Sequence, residues 1–228
     1  KFYGSGFHIL SIPIESLTIF LFSDTHYLEK TKILLSKHIT VFILFFISGL
    51  FFKRILKLII ENEFFSNLGT VFYFLNPYLL GHSFFNVKDI PFLTFWIICT
   101  YLIIKISKVF FKEREVKNKH VILISIFTAV LLSIRISGIL IFIQYFLFFL
   151  LITNSMKINL IYFVKRFLFK IVLSLISIYT LFIFLQPSYW KNPLLILEAI
   201  DFMSDHLQTV CTITLGECMK AQNLPSTY

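Results

Sequence analysis

Long uncharged runs separated by short charged segments dominate this chain. The runs cover residues 39–52, 64–87, 90–104, 120–134, 136–156 and 171–190. A helix that crosses a bilayer needs roughly 20 apolar residues. Three runs are nearer 15 residues, and each is flanked by Lys or Arg whose long stems can reach the headgroups. The apolar positions do not alternate with period two, so barrel strands are not expected. In hydrocarbon every backbone polar group needs an internal partner, which makes these runs helices. The pattern predicts an all-α transmembrane bundle of about six spans. Residues 7–22 form a further, doubtful run: it is short and holds Pro13 and Glu15. It reads as an interfacial or re-entrant helix.

Composition supports a bilayer as the solvent. Of 228 residues, 57% are hydrophobic and 14% charged, with 30 Phe and a mean hydropathy of +0.85. A soluble domain carries about 25% charged residues. The formal charge of +9 would suggest nucleic acid for a soluble chain. Here the basic residues lie between apolar runs and set orientation instead, so no nucleic-acid partner is expected. Thirteen of the 21 basic residues fall in one set of connections, from Lys53, Arg54 and Lys57 through Lys105–Lys119 to Lys157–Lys170. The positive-inside rule makes that set cytoplasmic. Residues 1–38, 85–90, the break at Arg135 and residues 187–228 then lie outside. The organisation reads as an outer segment with an interfacial helix (1–38), a transmembrane bundle (39–190) and an outer loop (191–228). Pro193 and the apolar positions after it predict an amphipathic helix in that loop, with Asn192 before its start. The start at Lys1, without Met, and the end within a loop both read as truncations. Cys99 lies inside a span. Cys211 and Cys218 share one loop, where either a disulfide or two free thiols is open.

Candidate chemistry concentrates between two spans on the outer side. Pro77 and Gly81 should loosen the last turns of the third helix, the run at 64–87, and His82, Asn86, Lys88 and Asp89 follow within eight residues. A carboxylate and an ammonium at a membrane boundary are costly unless partnered. Lys88 suits an anionic phosphate. Asp89 can bind a divalent metal, orient a hydroxyl or amine, or simply cap the next helix. Arg135 separates two apolar runs and falls on the same side as Asp89. Its planar fork of donors suits a phosphate, and the bland alternative is a snorkelling Arg at a turn eased by Gly138. Asp201, Asp205 and His206 share helical spacing, as do no stronger ligands; a solvated helix face explains them best. His8, Asp24, His26, Glu29, Trp190, Glu198 and Glu217 carry no stronger signal. No phosphate-binding glycine loop, zinc spacing or nucleophile elbow is present.

Four stretches resemble one enzyme family. They are Asn76-Pro77 with Gly81-His82-Ser83-Phe84-Phe85-Asn86 and Lys88-Asp89-Ile90-Pro91-Phe92; Ser133-Ile134-Arg135-Ile136-Ser137-Gly138; Trp190-Lys191-Asn192-Pro193-Leu194; and Leu215-Gly216-Glu217 with Leu224-Pro225-Ser226-Thr227-Tyr228. These are similar to bacterial family 39-like glycosyltransferases, relatives of the protein O-mannosyltransferases and of the aminoarabinose transferase of lipid A. The resemblance implies a C-type glycosyltransferase fold in the bacterial inner membrane. It implies a polyprenyl-phosphate-linked sugar as donor, a lipid or glycan hydroxyl as acceptor, and an active site at the outer face. It implies basic residues, sometimes with a divalent metal, on the departing phosphate. Asp89 would be catalytic, with Lys88, Arg135, His82 and Asn86 binding substrate. The family's acidic base lies in the first outer loop, and neither Glu15 nor Asp24 matches its context. That base and the first span are expected upstream of Lys1, so the chain alone should be inactive. A transporter or lipid flippase would instead place polar groups near the midplane on broken helices. A non-catalytic scaffold would leave Asp89 and Arg135 far apart.

Overall fold

The computed structural model describes residues 5–23, 28–193, 198, 211–214 and 217–220. The chain divides into two compact units, Tyr3–Gln186 and one that includes Pro187–Tyr228. The first is an all-helical membrane bundle: α1 (Gly6–Leu21), α2 (Glu29–Ile60), α3 (Glu63–Leu75), α4 (Pro77–His82), α5 (Asp89–Glu113), α6 (Asn118–Ile134), a 3-10 turn (Ile136–Leu140) running into α7 (Ile141–Ser155), and α8 (Leu160–Phe184).

Among the described residues, four segments are long and apolar enough to cross a membrane: α2, α5, the turn with α7, and α8. At 17 residues, α6 sits at the short end of spanning lengths, which start at about 17. The run at 64–87 is not one helix. Asn76 is extended, and its side chain accepts from the Leu79 backbone N–H at 3.1 Å. Pro77 then takes the first helical position, where its missing donor costs nothing. The sequence suggested loosening there; a capped second helix forms instead. Helix α3 runs antiparallel along α2, and α4 packs against α3 and α5. Gly69 lies against Leu56, Tyr73 stacks on Phe52 and Phe45, and Phe84 stacks on Phe42.

Helix α2 also exceeds the 39–52 run, because its flanks Glu29-Lys-Thr-Lys and Lys53-Arg-Ile-Leu-Lys are good helix formers. Charged ends reach water while the backbone stays helical.

The bundle is organised around α5, whose spanning window is 56% buried, against 17% for α8. Helices α2 and α5 run parallel with a constant offset of fifty. Thr94 Oγ1 donates to the Leu44 carbonyl, Tyr101 packs edge-on against Phe51, and the Lys108 ammonium donates to the Leu58 carbonyl. Contacts seven residues apart on both helices are two turns apart, the repeat of a shallow left-handed crossing. On the other side of α5, α6 returns antiparallel and α8 packs along α6.

Polar side chains deep in the bundle pair between helices. Ser48 meets Tyr73 at 2.6 Å, Ser125 meets Ser174 at 2.8 Å, Thr128 meets Tyr145 at 2.7 Å, and Gln144 donates to Thr100 at 2.9 Å. Such pairs join helices where lipid offers no hydrophobic drive for association.

The Lys/Arg-rich end has a repeated turn device. Glu61, Arg114 and Lys157 have φ of 58°, 55° and 51°, and they follow α2, α5 and α7 respectively. A left-handed residue there ends each descending helix, a place glycine usually takes. Lys57 donates to Glu63 at 2.6 Å across the first of these turns, and that hydrogen bond and charge hold the Glu63 carboxyl below its ordinary value.

In the second unit a two-stranded antiparallel hairpin forms, Cys211–Thr214 with Glu217–Lys220. Its register sets Cys211 opposite Lys220 and Cys218 opposite Ile213. The expected amphipathic helix after Pro193 falls largely outside the described residues. So do Asp24, His26, Asp201, Asp205 and His206.

Close helix contact tests this packing. A Cβ on Gly49 would come within 2.1 Å of the Phe74 ring, whereas one on Gly81 meets nothing within 4 Å. Gly49→Val should therefore destabilise the detergent-solubilised protein by about 1–3 kcal/mol, while Gly81→Ala leaves it unchanged or slightly more stable. Thermal unfolding monitored by circular dichroism reads both; equal effects would contradict the α2–α3 contact.

Candidate functional site

The site forms at the open end of the α5–α6 hairpin, away from the Lys/Arg-rich end. Helix α5 starts at Asp89 and runs to Glu113; α6 returns from Asn118 to Ile134. The start of one helix and the end of the other thus meet. Asp89 occupies the first turn of α5, where a negative charge complements the helix dipole. Arg135 is the residue that ends α6, where a positive charge does so. Its extended backbone, φ −146° and ψ 132°, stops the helix and turns the chain. The Arg135 carbonyl accepts from the Gly138 N–H at 2.9 Å. A Cβ on Gly138 would press on Leu131 at 3.1 Å, so a small residue suits this turn.

Across this gap the Arg135 guanidinium donates to Asp89 Oδ1. Both side chains are half-buried, at 39% and 47% exposure, so the pair borders an accessible face. Behind the guanidinium lies Phe92, one turn along α5, with Arg135 Cζ 5.8 Å from the ring centroid. That face adds a cation–π attraction.

Asn86 organises the other side. Its Oδ1 accepts from the backbone N–H groups of Lys88 at 3.1 Å and Asp89 at 2.9 Å, which fastens the start of α5. Its Nδ2 lies 2.9 Å from Asp89 Oδ2 and 2.8 Å from His82 Nδ1. The amide can donate to both, which makes His82 Nδ1 an acceptor. The His82 ring lies between Tyr78, at 4.3 Å, and Phe85, at 5.3 Å. Lys88 stands exposed just before α5.

The five residues singled out in the sequence therefore occupy one end of the bundle, and four are joined in a chain: His82, Asn86, Asp89 and Arg135. The capping role open to Asp89 is not the one its carboxylate takes. Asn86 supplies the side-chain cap, and both Asp89 oxygens are engaged by Arg135 and Asn86. The arrangement does not suit a divalent metal. The Asn86 amide donor stands between the two groups, His82 Nδ1 and Asp89 Oδ2, that a cation would need to bridge. Among the described residues, no three His, Cys, Asp or Glu side chains gather to hold one.

Compared with protein-family models, curated proteins and solved structures, the chain matches none. The family likeness therefore rests on the quoted residues.

A second element positions Arg135 and has little signature in the sequence. Gln186, just past α8, donates from Nε2 to the Ser133 carbonyl at 2.7 Å. Its Oε1 accepts from Ser5 Oγ at 2.8 Å, and Ser5 Oγ also meets the Leu185 carbonyl at 2.6 Å. Gly6 packs so closely that a Cβ would come within 2.9 Å of the Ser133 backbone carbon. Three chain segments thus lock the last turn of α6, two residues before Arg135. Its one sequence signal is a lone Gln between an apolar run and Pro187.

The ion pair should be measurable as a coupling. In a double-mutant cycle of Asp89→Asn and Arg135→Gln, unfolding in detergent should give about 0.5–1 kcal/mol of interaction, the scale of a partly exposed pair. Strict additivity would mean the two side chains do not meet.

Proposed function

We propose that this protein is a membrane-embedded glycosyltransferase that moves a sugar from a polyprenyl phosphate to an acceptor hydroxyl. The reaction would run at the outer face of the bacterial inner membrane, with a lipid or glycan as acceptor. The observation that carries the reading is the contact between Asp89 and Arg135, 46 residues apart and at the end opposite the Lys/Arg-rich turns. A scaffold has no need to bring a carboxylate and a guanidinium together there. The deep polar groups that a transporter would expose to substrate are instead paired with each other.

In the transfer, the bond between the anomeric carbon and the phosphate oxygen breaks, and its electron pair leaves with the polyprenyl phosphate. The acceptor oxygen bonds to that carbon and loses its proton to a carboxylate base. Family resemblance puts that base in the first outer loop, and no residue of this chain is assigned to it. Asp89 uses only part of the Arg135 fork. The remaining N–H donors, with the Lys88 ammonium, can take the phosphate oxygens as negative charge builds there. Asp89 then holds the guanidinium in place and offers its exposed edge to the acceptor hydroxyl. His82 and Asn86 fix the carboxylate from the other side.

Transfer of radiolabelled sugar in membranes containing the full-length protein tests this. Asp89→Asn should lower the rate by about a hundredfold or more, the scale of losing one charge-stabilising group. Arg135→Lys should retain part of it, because the charge survives without the fork. Helical content and membrane insertion should be unchanged in both. Undiminished transfer by Asp89→Asn would overturn the assignment.

A further inference from the structure

A second feature, with no part in the chemistry above, runs along the bundle to its Lys/Arg-rich end. A cavity of about 480 Å³ lies among α5, α6, α7 and α8. None of the five site residues lines it. Its walls are almost wholly hydrocarbon and aromatic, and they reach from Val116 at the basic end to Phe142 near the start of α7. Toward the basic end a ring cluster forms: Phe110, Phe149 and Phe163 meet at 4.7–5.1 Å between centroids. The volume and the apolar lining match a site for a ligand of some hundreds of cubic ångströms, about 300–1,000 Å³ being usual.

One charged side chain lines the cavity, Lys170, whose ammonium donates to the Val116 carbonyl. One turn earlier on α8, Arg166 donates to the Arg114 carbonyl at 3.3 Å, and both arginines are exposed. Segments 105–119 and 157–170, the basic ends of α5 and α8 with the turn after α5, hold ten Lys and Arg against two Glu; Lys108 among them turns away, to the Leu58 carbonyl of α2. Glu113, one of the two, is already paired with Lys117 at 2.7 Å. An apolar cleft inside a bilayer that opens onto clustered cations fits a molecule with a long chain and an anionic head.

We infer that this groove binds an acidic phospholipid of the leaflet at the basic end, the cytoplasmic leaflet by the charge bias. One acyl chain would lie along the α5–α8 walls, and the headgroup phosphate would meet Arg114, Arg166 and Lys170. Charge complementarity separates this occupant from an apolar helix, which would fill the cleft and leave the cations without an anion. Lysines and arginines near a membrane surface each favour an acidic lipid by a small factor. The groove adds a fixed place for its chain.

The test uses the full chain reconstituted in bilayers of dioleoyl phosphatidylcholine with graded dioleoyl phosphatidylglycerol, one or the other brominated on its chains. Trp96→Phe and Trp190→Phe remove the native signals, and Phe146→Trp places a reporter on the groove wall. Quenching should show about a fivefold preference for the brominated phosphatidylglycerol, the effect of roughly one well-placed cation. Arg114→Gln, Arg166→Gln and Lys170→Gln together should bring the preference to about one, while Lys170→Arg alone should keep it. Should the tryptophan variants not fold, thermal stabilisation of the unaltered, delipidated chain by the same two lipids gives the same comparison. Equal effects of the two lipids would overturn the inference. So would a reporter that neither brominated chain quenches, since the groove would then hold protein.

Discussion

A carboxylate or a guanidinium set alone at the edge of a hydrocarbon layer is expensive, and the two together are far less so. That constraint links the functional end of this molecule to its fold. Asp89 begins one helix and Arg135 ends its antiparallel neighbour, so each charge complements its own helix dipole as well as the other. The parallel α2–α5 seam, with its offset of fifty, sets the depth at which α5 begins. The clamp of Ser5, Gln186 and Ser133 fixes where α6 ends. The pair is held from both helices by contacts that have no charge of their own.

Much of this architecture is legible in the chain. The uncharged runs become α2 and α5 to α8, and residues 7–22 become α1 almost residue for residue, because apolar length under the backbone-pairing constraint leaves helices as the solution. Rarity of charge also marks Asp89 and Arg135 as notable. Other features are legible only in part. Helix α2 extends beyond its apolar run because Lys, Glu and Arg are good helix formers wherever their heads reach water. Asn76-Pro77 signals a break, but whether it loosens a helix or starts another depends on the Asn76 cap. The strand pair of 211–214 with 217–220 does not follow from the pattern of apolar runs. Its signal is the Thr212-Ile213-Thr214 run of β-branched residues.

The site's inner logic was the least accessible to sequence reading. Asp89 and Arg135 are 46 residues apart, and Ser5 and Gln186 are 181 apart. No local pattern encodes pairings at such separations. The bridging by Asn86 is local, yet Asn before a helix has several uses, and only geometry distinguishes a cap from a link between His82 and Asp89. The two ends of the bundle consequently differ in kind. At one, a few charges are matched in a hydrogen-bonded chain. At the other, an apolar cleft lined by Lys170 reaches segments rich in cations.

The central claim is that Lys88–Asp89 and Arg135 share one membrane face, opposite the Lys/Arg-rich turns. Single cysteines at Lys88, Ser137 and Glu115, in a background lacking Cys99, Cys211 and Cys218, can be labelled in sealed oriented vesicles with a membrane-impermeant maleimide. The account predicts that the reagent reaches positions 88 and 137 from the same side and position 115 only from the other. Labelling of 88 and 137 from opposite sides would contradict it.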